Sequence, residues 1–80
     1  MPKLYKLPAQ RAEDERKRRL IKNMISYMFL AELSKSDAAK AMRVSRPTLD
    51  SRLEDPGEMR LDELFRLADK VHKPISAFFE

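Results

Sequence analysis

The sequence predicts an all-α protein, a compact bundle of about five helices, on three observations. Only one glycine, Gly57, occurs in 80 residues. Apolar residues recur at spacings of three and four, the helical period. No run alternates with the period of two that marks a strand. At this length the chain is one domain, near the small end of what a hydrophobic core holds together unaided.

The elements follow in order. Residues 1–10, MPKLYKLPAQ, carry two prolines, two lysines and no amphipathic pattern, and predict a flexible arm. Residues 11–80 form the folded domain. A first helix is expected over Arg11–Leu30, with Glu13, Asp14 and Glu15 in its first turns, where carboxylates favour the positive end of the helix dipole. Leu20, Met24, Tyr27, Met28 and Ala31 share one face of it. Ile21, Ile25 and Phe29 widen that face beyond what a single core contact requires.

Ser34 followed by Asp37 is a capping-box pattern that starts a second helix, with Ala38, Ala39 and Met42 on its buried side. The two alanines permit a close neighbour. Val44 plugs the next turn, and Ser45 caps a third helix whose first turn accepts Pro47. Leu49 and Leu53 face inward, and Asp55-Pro56-Gly57 ends the helix. A fourth helix from about Leu61 places Leu61, Leu64, Phe65, Leu67, Ala68 and Val71 at helical spacing, the stripe it would bury, with His72 and Lys73 at its negative end and Pro74 as a breaker. Ile75, Phe78 and Phe79 supply a last helical turn that closes the core.

Several chemistries are excluded early. No cysteine is present, which rules out disulfides and thiolate metal sites and points to a cytoplasmic compartment. The longest apolar stretch, Met24–Leu33, is interrupted by Ser26 and Glu32 and is too short for a bilayer, so no membrane association is expected. The N-terminal segment lacks the order of a secretory signal. His72, the sole histidine, forms no metal-ligand set with Asp and Glu residues, and neither Ser45 nor Ser51 has a histidine to activate it. With no glycine-rich loop either, the sequence predicts no enzyme, no cofactor, no metal and no small-molecule substrate. The five methionines read as adaptable core packing.

Net charge is +4 and unevenly spread. Residues 1–22 carry +5, residues 23–32 −1, residues 33–54 +2 and residues 55–80 −2. A basic first two-thirds suits a protein that turns one side toward a polyanion, and equally suits an ordinary solvated surface.

The segment Ser34–Leu53, SKSDAAKAMRVSRPTLDSRL, therefore reads as two short helices across a tight turn. This is the helix-turn-helix arrangement that pushes one helix end into the DNA major groove. Ala39, Met42, Val44, Leu49 and Leu53, with Ser45 opening the second helix, fall where Cro/C1-type (XRE-like) repressors place their packing residues. The stretch MRLDELFRLADKVHKPISAFF is similar to that family's fourth helix and following turn. The resemblance runs from about Met24 to Phe79 and implies a lambda-repressor-like fold. Two features depart from it: a first helix longer than usual, and Arg43 where the family has glycine. A residue with a Cβ pays roughly 1–2 kcal/mol in the left-handed conformation glycine takes freely.

The resemblance implies a transcriptional regulator of phage or mobile-element type, a repressor that binds a palindromic double-stranded DNA operator as a homodimer. Arg46, Pro47, Thr48 and Ser51 match the groove-facing positions. Arg46 suits guanine O6 and N7, while Pro47 and Thr48 suit a thymine methyl. Ser34, Lys35 and Ser45 match phosphate-facing positions, and Arg52 suits a phosphate or a base edge. Asp50 is unfavourable near phosphates unless it accepts from a cytosine amine or pairs with Arg46 or Arg52. In the basic run, Arg16 and Lys17 suit helical pairs with Glu13, Asp14 and Glu15, whereas Arg19 and Lys22 suit the DNA backbone. Lys3 and Lys6 on the arm suit a minor groove.

A domain this small reads few base pairs, and two-fold pairing doubles the site at half-sites about 34 Å apart. Ile25 and Phe29 on the first helix, or Phe78 and Phe79 in the tail, are the expected dimer surface. A second function class stays open. The same helical fold suits a protein-interaction module, an anti-repressor or an antitoxin, that uses the broad face of the first helix.

Overall fold

The computed structural model describes residues 8–80, all of it helix, turn and connecting coil, with no strand among the described residues. Four α-helices appear in the order α1 (Pro8–Leu30), α2 (Lys35–Met42), α3 (Arg46–Glu54) and α4 (Leu61–Lys70). Pro56–Glu58 and Ile75–Phe79 are 3-10 turns, so the expected fifth helix is replaced by a 3-10 turn. Residues 1–7 of the expected arm, with Lys3 and Lys6, lie outside the described residues.

Helix α1 starts at Pro8, three residues before the expected Arg11. A proline is tolerated there because the first helical amide needs no partner and the ring already holds a helical φ. The earlier start moves Glu13, Asp14 and Glu15 beyond the first turn, so they do not serve the dipole as expected. The 23 residues span about 35 Å. Only the C-terminal half supplies buried residues: Leu20, Met24 and Met28 are buried, and nothing from Ala9 to Arg19 is.

Three helices end alike. After α1, the Glu32 amide donates to the Phe29 carbonyl and Leu33 to Met28. After α2, Arg43 donates to Lys40 and Val44 to Ala39, and after α4, His72 donates to Asp69 and Lys73 to Ala68. These are paired reversals that require a left-handed residue. Glu32, Arg43 and His72 take it at φ of 58°, 61° and 58°, none of them a glycine. Ala31, expected on the buried stripe, falls in the first of these reversals and is exposed.

The core joins all four helices and the tail. Phe78, Met24, Met42, Leu49 and Leu67 are its largest fully buried side chains. Ala38 and Ala39 are buried where α2 packs on α4, and Arg66 of α4 donates to the Met42 carbonyl at 3.2 Å, closing the end of α2. The tail turn packs on α1. There Asn23 Nδ2 donates to the Phe78 and Glu80 carbonyls at 2.9 and 2.8 Å, and the Tyr27 and Phe78 rings lie 5.9 Å apart. Leu61 and Phe65, expected in the buried stripe of α4, lie on its flank and are about half exposed. Gly57 lies against the end of the Lys17 side chain, whose Nζ would stand 3.3 Å from a Cβ there. No helix among the described residues is long and apolar enough to cross a membrane.

Candidate nucleic-acid interface

The first turns of α2 and α3 are joined through their side chains. Ser34 Oγ caps α2 by accepting from the Asp37 amide at 3.1 Å. Ser45 Oγ caps α3 by accepting from the Thr48 amide at 3.2 Å and donates to Thr48 Oγ1 at 2.8 Å. Both caps satisfy amides that a helix start leaves unpaired. Three residues, Arg43–Ser45, connect the helices, with Arg43 in the left-handed conformation despite its Cβ.

Across the gap, Arg46 Nη1 donates to Ser36 Oγ at 3.3 Å. Asp50 lies between two cations, 3.6 Å from Lys35 Nζ and 3.7 Å from Arg46 Nε. The three ionic side chains are each about half exposed, so solvent screens the pairs and leaves them free to exchange partners. Asp50 thus pairs with Arg46, one of the two partners weighed from sequence, and also with Lys35, which was not weighed; it does not pair with Arg52. Ser34, Lys35, Ser45, Arg46, Pro47 and Ser51 are all exposed, and Thr48 is half-buried against its cap. The structure therefore brings Lys35, Ser36, Arg46 and Asp50 into one contiguous surface at the two helix starts.

Arg52 is not displayed on that surface. Its Nε donates to Glu63 Oε1 at 3.1 Å, and the two side chains are only 20% and 5% exposed. Glu63 Oε1 also accepts from the Arg60 amide at 3.0 Å, reaching back to the start of α4. Burial pushes the Glu63 carboxyl up, but the Arg60 amide and the Arg52 guanidinium outweigh it and hold the group below its ordinary range. Arg52 and Glu63 together tie α3 to α4 and fix the angle at which α3 is presented.

The long basic helix lies elsewhere. Asp14, Lys17, Arg18 and Ile21 of α1 line one groove with Leu53, Glu54, Asp55 and Pro56, which sets the basic half of α1 beside the end of α3, away from its start. Lys17 pairs with Glu13 at 3.2 Å. Arg19 and Lys22 are exposed and form no ion pair among the described residues.

Of the expected dimer residues, Ile25, Phe29 and Phe79 are exposed. Phe78 is not: it is wholly buried against Tyr27 and is removed from any partner surface. Among the described residues, no three His, Cys, Asp or Glu side chains gather as a metal set. Sequence reasoning missed Ser36 and Glu63. Glu63 had a signal, a carboxylate three residues after Arg60 at a helix start; Ser36 had none, because only the fold brings it to Arg46. Comparison of the chain with protein-family models, curated proteins and solved structures gave no match.

Proposed function

We propose that this chain is a sequence-specific DNA-binding regulator, a repressor of Cro/C1 type, whose α2 and α3 act as a helix-turn-helix. The observation that carries the reading is the joined pair of exposed helix starts, with Lys35 on one and Arg46 on the other, 3.3 Å from Ser36. The start of α2, with Ser34 and Lys35, grips a phosphate. The start of α3 enters the major groove, where Arg46 reads guanine and Pro47, Thr48 and Ser51 meet neighbouring base edges. A homodimer places two such helices on a palindromic operator and excludes competing proteins from it.

Arg52 has no part in this contact set, because its guanidinium holds Glu63. Arg19, exposed on the basic half of α1, tracks the backbone. Binding-shift titration at fixed salt tests the assignment. Arg46→Ala loses about 1–3 kcal/mol of discrimination at one base position. Unchanged sequence preference in that variant sinks the assigned recognition helix.

A further inference from the structure

The exposed face of α1 carries the largest unpartnered apolar side chains of its helix. Phe29 is 80% exposed, Leu30 73% and Ile25 47%. On a helix of 100° per residue, Lys22, Ile25 and Phe29 fall on one narrow stripe, and Glu32 borders Phe29 and Leu30 in a shallow depression just past the helix end. Lys22 and Glu32 are exposed, and neither forms an ion pair among the described residues. From Lys22 to Phe29 the stripe rises about 10 Å, and Glu32 lies just past its end, so it runs positive, apolar, apolar, negative.

That order is self-complementary. A two-fold axis across the helix between Ile25 and Phe29 places each copy's Ile25 against the other's Phe29. The same rotation sets each Lys22 beside the other copy's Glu32. Isologous contacts demand such a patch, which has to match itself after a half-turn. An arbitrary acidic or basic partner satisfies only one end of it.

We infer that this face is the interface with a second copy of the chain, the two α1 helices crossing antiparallel about Ile25 and Phe29, with Lys22 and Glu32 setting the register. Lys22 then serves dimerisation and leaves phosphate binding to other side chains. The patch is small beside the area of obligate dimers, so the dimer is reversible and concentration-dependent. The interface deepens the proposed function, whose palindromic site calls for a dimer, but its test contains no DNA, so either can fail alone.

The test is sedimentation of the full chain across a range of protein concentrations, with helix content checked for each variant. The wild type shifts from monomer to dimer, and Phe29→Asp remains a monomer. Lys22→Glu and Glu32→Lys each weaken self-association about tenfold, because each places like charges opposite one another twice. Mixed together, those two variants restore the dimer, since every pair across the axis is then of opposite sign. A wild type that stays monomeric at all concentrations overturns the interface. So does a mixture no more associated than its parts, or self-association that Phe29→Asp leaves intact.

Discussion

The Asp50 carboxylate stands 3.6 Å from the Lys35 ammonium and so ties the first turn of α2 to the middle of α3. It also lies 3.7 Å from Arg46, which makes it an internal anion on the surface proposed to meet a polyanion. At about half exposure these pairs contribute little to stability. Asp50→Asn is therefore expected to leave the melting temperature nearly unchanged while raising DNA affinity. Lys35 and Arg46 then reach the DNA without first leaving a carboxylate, and one charge that repels phosphate is gone, so affinity rises across the salt series. Binding-shift titrations over a salt series check this, and lower affinity in the variant contradicts it.

Glu63 is the one buried charged residue among those described, and its partners hold its carboxyl below the ordinary range. A carboxyl depressed in the folded state stabilises the fold above its unfolded pKa of about 4.3. That stabilisation is lost as pH falls through the lower folded value. Glu63→Gln should lower stability near neutral pH by on the order of 2–3 kcal/mol, because it leaves Arg52 without its counter-charge. It should also flatten the acid limb of the stability profile. Denaturant unfolding from neutral to acid pH measures both, and an unchanged acid limb contradicts the assignment.

Arg43 adopts φ 61°, ψ 41° at the end of α2, a conformation that costs a side-chain-bearing residue more than glycine. Glycine gives back part of that gain through the entropy of the unfolded chain. Arg43→Gly is expected to raise stability by about 0.5–1 kcal/mol with the turn unchanged. A thermal melt settles the sign; destabilisation would mean that the Arg43 side chain supports the turn.

Asn23 Nδ2 donates to two carbonyls of the tail, Phe78 and Glu80, and so anchors the segment that closes the core. Asn23→Ala should cost about 1–2 kcal/mol and speed amide exchange over residues 75–80 ahead of the rest of the chain. Uniform exchange across the fold would show that the tail does not open as a separate unit.

Local signals made much of this fold legible. Ser34 and Ser45 cap the helices that their sequence position announced, and Pro47 and Pro74 fall at a helix start and just past a helix end. Ala38, Ala39, Met42 and Leu49 are buried as their spacing required. The start of α1 was hidden because Pro8 serves as well for a first helical residue as for a breaker. Leu61 and Phe65 fit the helical period, yet period alone does not say how wide the buried face of α4 is. The pairing of Arg52 with Glu63, the hold of Asn23 on the tail and the Ser36–Arg46 contact join residues 11 to 57 positions apart or across the α2–α3 turn. Such contacts appear only when helices meet. Charge pattern displayed Arg52 as one more surface cation, and packing turned it inward.

On the proposed function, the joined starts of α2 and α3 read duplex DNA. Selection of bound fragments from a random duplex pool at low salt tests it most directly, run in parallel with wild type and Arg46→Ala. The wild type is expected to enrich an inverted repeat, with one base position per half-site relaxed in the variant. No enrichment over the input pool by the wild type would contradict it.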